Sequence, residues 1–445
     1  MTEEHKFFLE TNPTKLFFKA AIPGAIGMIT SNIYFSVEML LIGRFLGQTA
    51  FAGGNLANPL LLIAYAVADM IAVGSSIGIS LRLGKGKKED ANEMFTTAVL
   101  LSSILSTLTA VLLTLTGPYI FSLMGADDEL MKEAIRYLGT YTIFIPITCL
   151  VFVFDNYLRI CGWVRFSMVM NIVLAVLCLS FELLFLWVFD LGIGYAALGT
   201  SLGMSITCVI CMIPFIRGKM SLRFVRPKHA FASIREMFTQ GLPNFLNNTS
   251  GRITSVLMNT LLLRIGGETA VSIFGVFMNI DGIIVPGMYG VFDSLQPAIG
   301  YNWGAGRKDR AARIAVRCTV ALAIPCLICT FLLEAFPGSI FSLFLTTDEG
   351  ELSLAVHAIR LMALTYIVRW ISYSGQSFSS AIGKSGEATL LSICNALIFP
   401  ILMMFILKDS GVEGLWLVTP SVAVLSAVAA ILIYIMRIRR LMKSR

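Results

Sequence analysis

Glu38 and Glu182 are the residues of this chain whose type and setting could do chemistry. Each lies in an otherwise apolar stretch, SNIYFSVEMLLIGRFLG at 31–47 and CLSFELLFLW at 178–187. An ionised carboxylate at the centre of a membrane helix costs about 3 kcal/mol even on lenient scales, so a chain keeps one there for a reason. Two carboxyls in one confined, poorly hydrated space both favour the neutral form, through desolvation and like-charge repulsion. The chemistry on offer is therefore uptake and release of protons. Tyr34 stands one turn before Glu38 on the same helix face and is placed to hydrogen-bond it. Asn156, in FDNYLRICG, is a further polar group in the same half, and Asp155 beside it is expected to pair with Arg159.

The elements that must position these groups are membrane helices. The 445 residues are 56% hydrophobic and 14% charged, and the mean hydropathy is +0.80, which excludes a water-soluble globule. Apolar runs near 16–42, 55–83, 92–116, 134–158, 164–189, 194–216, 236–264, 270–300, 311–335, 355–381, 388–407 and 413–437 each reach the length needed to cross hydrocarbon. The start, MTEEHKFFLETNPTK, lacks the pattern of a secretory signal, so the first helix is expected to be retained. Alternate connections carry RLGKGKK, Arg159 with Arg165, RGKMSLRFVRPK, GRKDRAAR and the tail RIRRLMKSR, whereas the opposite ones carry ADDEL, Asp190 and TTDEGE. The basic side reads as cytoplasmic, with both termini there. Spans one and five both run outward, and Glu38 lies six residues before Arg44, Glu182 eight before Asp190. That places both acids roughly 9–12 Å from the outer boundary at about 1.5 Å per residue.

The net charge of +7 is dispersed over short connections and forms no nucleic-acid patch. Nine cysteines lie almost wholly in apolar runs. CVIC and CLIC lack a second ligand pair and read as small hydrophobes. NNTS at 247–250 falls inside a span and reads as a chance match to a glycosylation acceptor. His5, His229 and His357 are scattered, and no nucleophile set or HExxH accompanies them, so an enzyme is not expected.

The chain repeats itself. IGRFLGQTA at 42–50 lies over LLRIGGETA at 262–270, and LGKGKKEDA at 83–91 over WGAGRKDRA at 303–311, an offset of 220 residues (264 − 44 and 304 − 84) that Pro23 with Pro243 and the two IFSL segments also keep. Six helices per repeat is an even number, so both halves run the same way and are related by an axis along the membrane normal, a transporter architecture. The expected organisation is a first lobe over 1–216, a basic linker over 217–235 that includes a surface helix, and a second lobe over 236–445. The turns GKGKKED and GAGRKDR lack the Gly-Lys-Ser/Thr of a phosphate loop and read as tight basic turns. Glu38 falls on Met258 across the repeat, so the acid belongs to the first half alone. The second half has its own deep charges, Arg252, Asp281, Asp293 and Arg369, which line or gate a cavity or pair with one another, Arg252 with Asp281 first. Met258 and Met278 offer soft walls that suit a promiscuous cavity or ordinary packing.

SVEMLLIGR, NYLRICG, GIGYAALGT and LQPAIGYNWGAGRKDR, together with the repeat, resemble the multidrug and toxic compound extrusion (MATE) family over nearly the whole chain, its bacterial drug-exporter branch most closely. The resemblance implies an all-α fold of twelve transmembrane helices in two six-helix lobes forming a V. It also implies alternating access and export of organic, often cationic compounds in exchange for H⁺ or Na⁺, without a cofactor, by a monomer in the cell's inner membrane. On this likeness Glu38 and Glu182 stand where the family has aspartates, Pro23 where helix one bends, and Tyr34, Asn156 and Thr200 within the polar network. Cys178 replaces a family Asn one turn before Glu182. Cysteine is a poor ligand for a hard cation, so H⁺ is favoured over Na⁺. A lipid-linked oligosaccharide flippase of the same superfamily is the alternative, and it would call for a cavity rich in Arg and Lys.

Overall fold

The computed structural model describes residues 6–344 and 349–443, apart from the side chains of Lys6 and of 435–443. His5, residues 346–348 of the acidic connection, the side chains of the basic tail and the last two residues lie outside the described residues. Every regular element among the described residues is helical. Ten stretches are long and apolar enough to cross a membrane, and two of them hold two crossings each. Ala230–Gly304 has 75 residues, about 110 Å of helix against about 30 Å of hydrocarbon. It breaks at Gly267 (φ 69, ψ −164). The stretch Ser385–Tyr434 likewise breaks at Gly411 (φ 72, ψ −155).

Twelve crossings result. The first half holds α1 (Pro13–Leu46), α2 (Gln48–Gly84), α3 (Lys88–Leu123), α4 (Asp128–Ile160), α5 (Val164–Leu183, prolonged by a π-helical turn to Val188) and α6 (Ile193–Ile216). The second holds α7 (230–266), α8 (268–304), α9 (Lys308–Ala335), α10 (Glu349–Ala381), α11 (385–407) and α12 (Gly411–Lys443). Gly47, between α1 and α2, has φ 85 and ψ −173, nearly the conformation of Gly267, which lies 220 residues further on (267 − 47). Any side chain is strained at that backbone geometry, so the sequence repeat is also a repeat of backbone break points.

The expected surface helix in the linker is absent. Residues 219–229 run as an irregular strap, and the next helix, begun at Ala230, continues without a break into the seventh crossing. Side chains of α3 occupy the strap's backbone: Arg223 N donates to Asn92 Oδ1 at 3.0 Å, Val225 N to Thr96 Oγ1 at 3.0 Å and His229 N to Glu93 Oε2 at 3.3 Å. Amides spent on side chains in this way are unavailable to a helix.

The halves meet through glycine. A Cβ on Gly24 of α1 would fall 1.6 Å from Ser294 Oγ and 2.4 Å from the Gly290 carbonyl oxygen of α8, and one on Gly84 of α2 would fall 2.2 Å from the Tyr301 carbonyl oxygen. Helices in a bilayer associate by close van der Waals packing rather than by hydrophobic burial, which is why small residues line this seam. Arg82 closes its basic end with a double hydrogen bond to Glu236, 2.9 and 2.8 Å. These contacts lie in the half of the molecule nearer the basic turns, so the two halves are joined there.

Candidate functional site

Glu38 and Glu182 are brought together inside the first half. Glu38, on α1, is 1% exposed, and its Oε1 accepts hydrogen bonds from Tyr137 Oη at 2.8 Å and Tyr141 Oη at 2.6 Å. The two tyrosines lie one turn apart on α4 with ring centroids 5.0 Å apart, edge to face, so one helix face presents both hydroxyls to a single carboxyl oxygen. Glu182, near the end of α5, is fully buried. It is close enough to Glu38 for the two charges to interact, yet neither of its carboxyl oxygens has a hydrogen-bond partner among the described residues.

Packing of α6 on α5 makes this arrangement possible. A Cβ at Gly199 would come within 2.8 Å of the Glu182 amide nitrogen, and Cys178 Sγ donates to the Thr200 carbonyl oxygen at 3.4 Å. Glycine at 199 therefore lets the α6 backbone lie against Glu182. Thr200 Oγ1 is turned toward the Glu38 carboxyl without forming a well-shaped hydrogen bond.

Two of the expected members behave differently. Tyr34 is buried beside the site, but its hydroxyl faces Met204 Sδ at 3.9 Å, as does that of Tyr65, and its ring stacks on Phe35 at 4.3 Å. The donors to Glu38 come from across the lobe, where they point straight at the carboxyl, rather than from one turn back. Asn156 donates to the Phe152 carbonyl oxygen of its own helix at 2.9 Å. It lies fifteen residues beyond Tyr141, about 22 Å along the helix, outside the cluster. Its neighbour Asp155 pairs with Arg159 as expected, and also accepts from Ser167 Oγ at 2.5 Å and Asn171 Nδ2 at 2.9 Å. Asp69, half-buried in α2, accepts from Asn244 of α7 at 2.5 Å, a polar link between the halves.

In the second half the expected Arg252–Asp281 pair is not formed. Asp281 Oδ1 accepts from Arg369 Nη1 at 2.5 Å and from Tyr366 Oη at 2.8 Å, and Arg369 also stands 5.6 Å from the Tyr373 ring centre. Arg252, Asp281, Arg369, Met258 and Met278 all line one cavity of about 560 Å³, with Tyr289 and Tyr373 at its wall. A hollow of about 720 Å³ between α4 and α6, lined by Arg136, Gly139 and Tyr195 among others, contains none of these groups. Pro23 lies inside α1, next to Gly24 of the seam. All nine cysteines are free thiols, and among the described residues no group of three or more His, Cys, Asp or Glu could hold a metal ion.

The sequence profile of the MatE family matches twice, over 23–184 and 243–406, one match in each half and with starts 220 residues apart (243 − 23). The chain belongs to the MatE family. MatE proteins are transporters and not enzymes. The chain is 22% identical to the multidrug export protein MepA of Staphylococcus aureus over 450 aligned positions, covering 99% of this chain and 98% of that one. The fold superposes at a TM-score of 0.93 and 20% identity on a structure described as the outward-facing conformation of a multidrug resistance MATE family transporter of the MOP superfamily, with both chains fully covered. It superposes at 0.91 and 20% identity on a MOP superfamily transporter from Pyrococcus furiosus, described as having a binding pocket of reverse polarity that suggests a different function, over 99% of this chain and 98% of that one.

In this MatE protein the two tyrosines are the site residues that sequence reasoning missed. RYLGTY, at 136–141, shows two hydroxyls four apart on one face of an apolar helix, which is the signal that could have found them. Asp69, alone in YAVADMIAV, could have been found by the argument applied to Glu38.

Proposed function

We propose that this chain is a secondary active antiporter that exports organic, cationic or amphipathic compounds in exchange for H⁺ by alternating access. The observation that carries the reading is the Glu38–Glu182 pair, two neighbouring buried carboxyls in one half of a two-lobed membrane transporter. Glu38 keeps two hydroxyl donors, while Glu182 has none among the described residues. A buried carboxylate without donors is expensive, so in this reading Glu182 is the acid that gains most by carrying a proton, while Tyr137 and Tyr141 fix the Glu38 carboxyl against α4. With both acids neutral the interior of the first lobe tolerates closure. α1 rearranges about Pro23, whose missing N–H leaves the helix a natural bending point. That bend shifts the neighbouring Gly24–Ser294 contact and so transmits the change to the seam.

In this reading residues 1–216 and 236–445 are the lobes, 217–235 joins them, the basic turns and both termini are cytoplasmic, and the protein works as a monomer in the inner membrane. Cys178 beside the pair supplies no hard oxygen, which favours H⁺ over Na⁺ as the coupling ion. The test is efflux of a cationic dye from proteoliposomes under an imposed pH gradient and then under a Na⁺ gradient. The expected result is dye movement driven by the pH gradient alone. Movement under Na⁺ alone would reassign the ion, and dye that answers to neither gradient would remove the antiport reading and favour a flippase.

The tyrosines carry their own expectation. Tyr137→Phe combined with Tyr141→Phe should slow pH-driven efflux about tenfold or more, since a hydrogen bond to a charged group contributes about 1.5–3 kcal/mol. Tyr34→Phe, which leaves the Glu38 donors in place, should stay within about twofold in the same assay.

A further inference from the structure

The two halves carry opposite charge on corresponding helices. Glu38 of α1 corresponds to Met258 of α7, and Arg252 of α7 corresponds to Asn32 of α1 (252 − 220). On this pair of corresponding helices the deep charge is an acid in the first lobe and a guanidinium in the second. Arg252 lies fifteen residues before the Gly267 break, about 22 Å along the helix, well within the hydrocarbon. It lines the cavity of about 560 Å³.

The acidic and basic lining residues of that cavity are Arg252, Asp281 and Arg369. Arg369 and Tyr366 occupy Asp281, so that pair is neutral. Among the described residues no hydrogen bond or ion pair holds Arg252, which leaves the cavity one net positive charge. A cation at this depth faces water in a cavity or a partner of opposite sign. A guanidinium is a planar fork that matches a carboxylate with two parallel hydrogen bonds. The remaining wall suits an aromatic body: Phe274, Phe277, Tyr289 and Tyr373 give ring faces, and Met258 and Met278 give soft surfaces that adapt to shape. The volume falls in the range of drug-sized sites.

We propose that this second-lobe cavity is a binding site for aromatic compounds bearing a carboxylate, zwitterions included, and that Arg252 is the residue that selects them. A single free guanidinium matches one carboxylate. The doubly charged pyrophosphate of a lipid-linked sugar would call for several bases. The proposal rests on the export reading only in taking the bound compound to be cargo.

The experiment measures equilibrium binding to the full-length protein in detergent with two dyes that share one cationic body: rhodamine B, which has a free carboxylate, and its ethyl ester, which has none. The wild type is expected to bind the carboxylate form about tenfold more tightly, about 1.4 kcal/mol. Arg252→Gln should bring the two dyes within about twofold, chiefly by weakening binding of the carboxylate form, and Arg252→Lys should keep part of the preference. Equal or tighter binding of the ester by the wild type would overturn the proposal, as would an undiminished preference in Arg252→Gln. If Arg252→Gln binds neither dye, Arg252→Lys decides: a retained preference supports the assignment, and a lost one overturns it. No ion gradient is present, so this result stands or falls apart from proton coupling. A protein that exports dye under a pH gradient can still fail here, and one that discriminates the dyes can still fail to couple.

Discussion

Glu38→Gln combined with Glu182→Gln is expected to bring pH-driven dye efflux down to the level of vesicles without protein. Glutamine keeps the shape and the hydrogen-bonding reach of each side chain, so Tyr137 and Tyr141 retain an acceptor at position 38. What is lost is the ability to gain and release a proton. Each single variant should fall well below the wild type, because the proposed mechanism has both acids take up and release a proton. The two losses should not add, since the residues act as one unit. Dye binding measured without a gradient should survive in the double variant, which separates loss of coupling from loss of fold. Full coupled transport by the double variant would sink the assignment.

Gly24→Leu should have the second large effect, through geometry rather than charge. The first atom of the new side chain would already lie 1.6 Å from Ser294 Oγ and 2.4 Å from the Gly290 carbonyl oxygen. The serine hydroxyl can rotate away, but the carbonyl belongs to α8 itself, so the helices must separate. Overpacking of this kind destabilises by about 1–3 kcal/mol and at times more, and here it falls on the contact that closes the basic side. Transport should drop to background and the thermal unfolding midpoint should fall. Gly386→Leu is the control, since a Cβ there meets nothing within 4 Å, and it should be close to neutral in both measurements. A wild-type melting curve and normal efflux for Gly24→Leu would mean that the seam does not have to close this tightly.

Much of the architecture is written in local pattern. Crossings are legible because a helix in hydrocarbon needs an unbroken apolar run, and the break at Gly267 is legible because Gly47 stands in the matching place of the first repeat. Glu38 and Glu182 are conspicuous for the same reason that makes them expensive. What local pattern does not contain is the rotation of one helix about its axis relative to another. Arg252 and Asp281 lie at comparable depth, yet α10 turns Arg369 and Tyr366 toward the aspartate, and no feature of α7 or α8 announces that choice. Tyr137 and Tyr141 look like ordinary helix residues until α1, about a hundred positions earlier in the chain, lays Glu38 against them. Asn156 spends its amide on its own helix, at the Phe152 carbonyl, a choice that its residue type does not announce. The linker misleads for another reason: side chains of α3 claim the amides that a surface helix would need.

Those strap contacts fix where a swing can turn. Because the segment up to His229 is tied to α3 and Ala230 already belongs to a rigid rod, almost no slack is left to let the halves drift apart. In the rocking motion proposed here, relative movement becomes rotation about a fulcrum at one membrane surface. Every 10° or so of tilt there displaces the far rim by about 5 Å across roughly 30 Å of hydrocarbon. Modest rearrangement around a few buried side chains can in this way open or shut a passage wide enough for a bulky solute.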